Sequence, residues 1–250
     1  MRTATLGIVL PVYNENNSIE FIFSEVERWA LCRPDWHFLF VDDGSSDGTG
    51  DKILSLLKSH NSINIELICE PFNGGKGLAI RKGLTYMNED KVCFTDGDLA
   101  YSLDQLELLE NALTRYDMVI GNRNLIMQHD HISLRRRMLG KGFNRLARLI
   151  LGLPYRDTQA GLKAFRAETK QAILSCQQLT GFGFDVEYIC IARHRGFSIG
   201  EIPALVRDDH DFRTSKVRIL KDSLRMFLEI FCIRRNLARG LYDGPRFHAG

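Results

Sequence analysis

His37-Phe38-Leu39-Phe40-Val41-Asp42-Asp43-Gly44-Ser45-Ser46-Asp47-Gly48-Thr49 decides the fold, because an apolar run of strand length breaks at once into acids and glycines. His37 to Val41 is continuously apolar rather than alternating, which predicts a strand buried on both faces of a parallel sheet. Gly44 and Gly48 permit tight turns, and Asp47 is placed to cap a following helix. The first two acids are placed to hydrogen-bond a base or a ribose.

The same unit recurs on either side. Leu6 to Val12 predicts a strand closed by Pro11, and Ser18 to Leu31 carries helical spacing in Ile19, Ile22, Phe23, Val26 and Ala30. Downstream come a helix after Asp47, a strand at Ile63 to Cys69 and a helix from Gly77. A strand at Val92 to Thr95, a helix from Leu103 and a strand at Met118 to Gly121 follow. This alternation predicts an α/β chain with right-handed crossovers and a doubly wound, Rossmann-like, mostly parallel sheet flanked by helices. Ligands of such sheets bind outside the carboxyl ends of the strands. Asn14-Glu15, Asp42 to Ser45, Asp96-Gly97-Asp98 and Gly121-Asn122-Arg123 should therefore gather along one edge.

Composition narrows the function classes. With 250 residues, 44% hydrophobic, the chain is long enough for one large domain. A formal net charge of +2 is too small to argue for nucleic acid, so any basic surface is local. Cys32, Cys69, Cys93, Cys176, Cys190 and Cys232 lie far apart and predict reduced, buried packing residues in a cytosolic protein. Met1 to Gly7 runs into the strand pattern without the regions of a signal peptide. No apolar run approaches the roughly 18 residues that span a bilayer, so a membrane contact would be peripheral.

Beyond Arg123 the pattern changes. Leu134 to Leu153 predicts a basic amphipathic helix carrying Arg135, Arg136, Arg137, Lys141, Arg145 and Arg148. Two readings stand: a helix packed on the sheet with a solvated basic face, or a helix lying on a membrane surface. Val217 to Arg235 is a second amphipathic candidate, and Leu241 to Gly250 reads as a loose tail.

Asp96 and Asp98, one residue apart at a strand end, project to the same side of an extended backbone and can face one hard divalent cation. The plainer reading of an acidic pair there is a helix cap. Asn73-Gly74-Gly75-Lys76-Gly77 sets a cation in a glycine-rich turn suited to phosphate, without the spacing of a Walker A loop.

Pro11-Val12-Tyr13-Asn14-Glu15, the Asp42 to Thr49 string, Asp96-Gly97-Asp98, Gly121-Asn122-Arg123 and Asp157-Thr158-Gln159-Ala160-Gly161-Leu162-Lys163 together resemble the inverting family-2 glycosyltransferases. Within them the chain resembles enzymes that transfer a hexose from a nucleotide sugar to dolichyl or another polyprenyl phosphate. The string from Asp157 to Phe165, with Gly183-Phe184-Asp185-Val186-Glu187, is closer to the dolichyl-phosphate glucosyltransferases than to the mannosyl branch.

The resemblance implies a single GT-A-type domain over 1–240, with a nucleotide-sugar-binding half at 1–123, an acceptor-binding half at 124–240 and a tail at 241–250. It implies that Pro11, Tyr13, Glu15, Val41 and Asp43 hold the nucleoside, with Lys76 and Gly97 completing the donor site. Asp96 and Asp98 would engage Mg²⁺ or Mn²⁺ and the sugar diphosphate. Arg123 would lie near the diphosphate, Arg136 would meet the acceptor phosphate, and Lys216 would cover the donor from a loop. The partners implied are a nucleotide-sugar donor, a polyprenyl-phosphate acceptor and a membrane surface, with no nucleic acid and an oligomeric state left open. Two positions depart from mannosyl relatives: Ala100 offers no third ligand, and His210 stands where they carry an arginine.

The chemistry follows from the groups. Breaking a sugar-diphosphate bond develops negative charge, which a cation at Asp96/Asp98 and Arg123 would stabilise. A phosphate monoester, with a second pKa of about 6, arrives largely ionised and needs no general base. A hydroxyl acceptor would need one, and Asp157, Asp185 or Glu187 is then the candidate. A non-catalytic scaffold that binds nucleotide sugars is the reading from another class.

Overall fold

Residues 5–60, 64–125, 134–181, 183–207 and 219–244 are described in the computed structural model, with side chains outside the description at 134–141 and 219–226. The run Leu6–Val12 forms β1, and Trp36–Asp42 forms β2 parallel to it, with Leu6 opposite Trp36 and Val12 opposite Asp42. Period two sorts their side chains between layers: Leu6, Ile8, Leu10 and Val12 enter one core and Val9 the other. Both faces are buried, which is why these strands read as unbroken apolar runs.

Between and after them come α1 (Ile19–Cys32), α2 (Thr49–His60), β3 (Ile65–Cys69), α3 (Lys76–Tyr86), β4 (Lys91–Phe94), α4 (Gln105–Ala112) and β5 (Met118–Asn122). The second half supplies α5 (Leu134–Leu151), β6 (Lys163–Arg166), α6 (Ala167–Cys176), α7 (Phe184–His194), β7 (Ile199–Pro203) and α8 (Ile219–Ala238). Among the described residues the seven strands make one sheet in the order β3-β2-β1-β4-β6-β5-β7. All pairs are parallel except those of β6, which runs antiparallel to β4 and β5 on either side of it. Helices α1, α2 and α4 pack on one face, and α3, α5, α6, α7 and α8 on the other, so the sheet is doubly wound as expected.

Sequence reading misses α6, α7, β6 and β7. Strand β6 is four residues long and begins on the fully buried Lys163, so no apolar run announces it. Helix α7 is buried from Phe184 to Ala192, Asp185 and Glu187 included, and so lacks an apolar stripe. Two expectations need correction. Cys93, Cys176 and Cys190 are buried, but Cys32 and Cys69 are exposed, although all six thiols are free. The segment from Leu241 does not begin as a loose tail: Tyr242 is fully buried and donates its hydroxyl to Glu187 Oε1 at 2.7 Å. Residues 245–250 lie outside the described residues.

Candidate active site

Because β1, β2, β4 and β5 are mutually parallel, their carboxyl ends, and the four polar clusters that follow them, lie along one edge. The first two clusters are stitched together by the backbone. Asn14 N–H donates to Ser45 Oγ at 2.8 Å, Ser46 N–H to Asn14 Oδ1 at 2.9 Å, and Glu15 N–H to Thr49 Oγ1 at 2.8 Å. Asp47 accepts the Thr49 N–H at 3.1 Å and so caps the first turn of α2, as its position predicts. Pro11, Tyr13 and Glu15 are half-buried along this rim.

Two residues expected at the nucleoside have other employment. Val41 is fully buried in the core on the α3 side, so its side chain does not reach the rim. Asp43 accepts N–H groups from Gly74 at 2.9 Å and Gly75 at 2.9 Å, and the Asn73 side-chain amide at 3.0 Å. Its carboxylate thereby anchors the turn that leads into α3. Burial pushes the Asp43 carboxyl above its ordinary range, against the pull of the two glycine N–H groups.

At the end of β4, Asp96 is half-buried and Asp98 exposed. Their positions depend on two glycines that admit close backbone approach: a Cβ at Gly97 would lie 2.0 Å from the Pro11 carbonyl oxygen, and one at Gly161 would lie 2.1 Å from Asp96 Oδ1. The second contact links the edge to the segment leading into β6. Lys76, the first residue of α3, sets its ammonium directly on Asp96 Oδ1. Burial favours the neutral amine, but Asp96, Asp185 and Asp98 outweigh it and hold the Lys76 ammonium well above its ordinary pKa.

Does this geometry suit a divalent cation? Two carboxylates at one strand end, one of them already drawing the Lys76 ammonium, offer the oxygen ligands that a hard divalent cation takes. Among the described residues no group of three or more His, Cys, Asp or Glu side chains forms a complete cage. Mg²⁺-type ions take one or two carboxylates and complete their shell with substrate phosphates and water. Ala100 is buried and contributes its N–H to Asp98 Oδ1 at 3.1 Å, adding no ligand.

Arg123 follows β5 and is held by Asp157. Its Nε and Nη2 donate to Asp157 at 2.7 and 2.9 Å, and its backbone N–H adds a third bond at 3.1 Å. This bidentate pair uses one edge of the guanidinium and leaves Nη1 directed away from Asp157. Burial alone would raise the Asp157 carboxyl, yet Arg123 holds it below its ordinary value. Asp157 is therefore held ionised, with both carboxylate oxygens engaged by Arg123.

The other two base candidates are also committed. Asp185 receives the ammonium of the fully buried Lys163 at 2.6 Å, and the same ammonium donates to the Ala160 carbonyl at 2.7 Å. Glu187 accepts the N–H groups of Gln178 at 3.0 Å and Leu179 at 2.9 Å, besides the Tyr242 hydroxyl. It anchors a loop. Sequence reasoning assigned Lys163 and Gly161 no role, although both lie in the Asp157 to Lys163 string that carried the resemblance. Arg136 lies in α5 but its side chain is outside the described residues, as are Lys216 and His210 altogether.

Comparison with known proteins identifies the family. The family model for glycosyl transferase family 2 matches residues 7–173. A dolichyl-phosphate beta-glucosyltransferase of Trichomonas vaginalis is 31% identical over 210 residues, covering 79% of this chain and 64% of that protein. The chain thus spans less than two thirds of that relative's length. The dolichyl-phosphate beta-glucosyltransferase of Saccharomyces cerevisiae is 28% identical over 258 residues, covering 95% of this chain and 76% of that one. Among solved structures, glucosyl-3-phosphoglycerate synthase of Mycobacterium tuberculosis with UDP superposes with a TM-score of 0.66 at 18% identity, covering 97% of this chain and 81% of that one. The same enzyme with Mn²⁺, UDP and product gives a TM-score of 0.62 at 18% identity, covering 92% and 80%. At such identity these structures establish a shared GT-A-like fold.

Proposed function

The chain belongs to glycosyl transferase family 2, and from that premise we propose that it transfers glucose from UDP-glucose to a polyprenyl phosphate, with inversion, at a membrane surface. One observation carries the choice of acceptor. Each carboxylate offered as a base for a hydroxyl acceptor is engaged elsewhere: Asp157 by Arg123, Asp185 by Lys163, and Glu187 by two backbone N–H groups and a tyrosine. An acceptor that arrives ionised suits such a site, and a phosphate monoester does so at neutral pH. The name of the yeast and Trichomonas relatives supports the same acceptor and a glucosyl donor, and the UDP-bound neighbours support the nucleotide.

In this reading Pro11, Tyr13 and Glu15 form the rim that meets the nucleoside. Asp96 and Asp98 hold Mg²⁺ or Mn²⁺, which when bound neutralises charge on the departing diphosphate. Lys76 and the N-terminus of α3 face the same charge. The Nη1 edge of Arg123, oriented by Asp157, offers a further cationic contact. Arg136 is assigned to the acceptor phosphate and Lys216 to the donor. The phosphate oxygen attacks the anomeric carbon from the face opposite the diphosphate, so one bond forms as the other breaks and the configuration inverts.

The assay is direct. Purified protein with Mn²⁺ and labelled UDP-glucose is expected to label a short polyprenyl phosphate and to leave the corresponding polyprenol unlabelled, with GDP-mannose a poor donor. Equal labelling of the polyprenol would move the reading to a hydroxyl acceptor. No label in either lipid with either donor would reject enzymatic transfer to polyprenyl acceptors.

The membrane contact rests on α5 and α8, which pack side by side. Leu149 is 74% exposed, Leu228 59% and Phe231 55%, with exposed Arg145, Arg148, Arg234 and Arg235 nearby in the sequence. No described helix is long and apolar enough to cross a membrane. Apolar side chains set among arginines suit an anionic lipid surface. The protein is expected to float with anionic vesicles, and Leu149→Glu with Phe231→Glu is expected to cut the bound fraction severalfold. Flotation unaffected by the double change would assign these side chains another partner.

A further inference from the structure

Lys76 is held in place more firmly than a phosphate contact alone requires. It lies between Gly75, at φ +93°, and Gly77, where a Cβ would come within 2.6 Å of the Thr180 carbonyl oxygen. The turn before it is tied to the end of β2 by the bonds from Gly74 and Gly75 to Asp43. The backbone at Lys76 is thus fixed by two neighbouring segments. Its four-carbon side chain is the movable part, and that side chain lies on Asp96.

We propose that Lys76 is the resident counter-ion of the Asp96/Asp98 pair: it occupies the cation position in the nucleotide-free protein and yields it when a nucleoside diphosphate arrives to receive the ammonium. The inference rests on the metal-dependent reading above and adds an order of events to it. Charge explains the coupling. An ammonium and a divalent cation compete for the same Asp96 carboxylate, so each disfavours the other. A diphosphate supplies the compensating anions, and it does so at the N-terminus of α3, where Lys76 begins the helix and anions are favoured. The ammonium can exchange Asp96 for a phosphate oxygen by rotating its own stem. Lysine suits this part because its charge is compact and its stem flexible.

The test measures Mn²⁺ binding rather than turnover, by titration calorimetry and by the electron paramagnetic resonance of free Mn²⁺, with and without UDP. Wild-type protein is expected to bind Mn²⁺ weakly alone and much more tightly with UDP. Lys76→Gln is expected to bind Mn²⁺ without UDP about tenfold or more tightly than wild type, and to lose most of the UDP dependence. Lys76→Arg, which keeps a cation there, is expected to stay near wild type. If wild type binds Mn²⁺ with UDP but Lys76→Gln gains nothing in its absence, the counter-ion role is overturned and the metal reading stands. If wild type binds no Mn²⁺ even with UDP, the metal reading falls and takes this inference with it. Lys76→Met carries the same expectations should the glutamine variant not fold.

Discussion

Asp98→Ala is expected to lower kcat/KM for glucose transfer by about 10³-fold or more while leaving the fold intact. The magnitude follows from the role assigned to the pair: a ligand to a cation that stabilises developing diphosphate charge acts on the transition state more than on the bound substrate. The small structural cost follows from position. Asp98 is exposed, and the N–H bond that it accepts from Ala100 belongs to the local turn. Asp96→Ala is the less decisive experiment, since it would strand the Lys76 ammonium beside Asp185 and mix a folding effect into the result. Steady-state rates at saturating Mn²⁺, with circular dichroism and a melting curve for each protein, make the check. Turnover within tenfold of wild type would remove Asp98 from the metal site.

Arg123→Gln is expected to cost about 3 kcal/mol of stability, or about 10 °C in Tm, because it leaves a buried carboxylate without its cation. Asp157 is 1% exposed, and with Arg123 shortened it keeps backbone N–H bonds from residue 123 and Gln159 only as partial compensation. The double variant Arg123→Gln/Asp157→Asn is expected to regain part of that stability without regaining transfer, which separates the structural from the catalytic share. The pH dependence has a definite sign. A carboxyl held below its ordinary pKa stabilises the fold above the unfolded value of about 3.9, and that contribution disappears as pH falls through the folded value. The gap between wild type and Arg123→Gln should therefore be widest near neutrality and shrink below about pH 4. Urea melts at several pH values measure it, and a gap that widens on acidification would contradict the pairing.

The first half of the fold is legible because its signals are local. Strands β1, β2 and β5 start and stop within about two residues of the expected ends, each a buried run closed by acids, amides or glycine. Their shared edge follows from parallel topology alone. What the residues do at that edge is less legible, since their partners arrive from afar. Asp157 read as one of three candidate bases for a hydroxyl acceptor and Arg123 as a diphosphate contact; their pairing across 34 positions of sequence is not legible. Asp43 read as a nucleoside contact because it follows a strand, but its carboxylate meets N–H groups 31 and 32 residues on. Lys163 is hidden for the opposite reason: a charged residue at the start of a buried strand looks like loop until Asp185 and the Ala160 carbonyl are seen to satisfy it.

The placement of β6 has a consequence for how the protein is made. Strands β4 and β5 emerge from the ribosome well before residues 163–166, yet neither pairs with the other; each waits for β6 to fill the gap between them. At synthesis rates of about 5–20 residues per second, β4 spends seconds as an unpaired edge beside β1, a template for wrong strands and for other nascent chains. Gly161 and Asp157 enter with the same segment, against Asp96 and Arg123. The anchors of Asp96 and Arg123 and the strand that joins β4 to β5 therefore arrive together, and a chain stalled short of β6 lacks both.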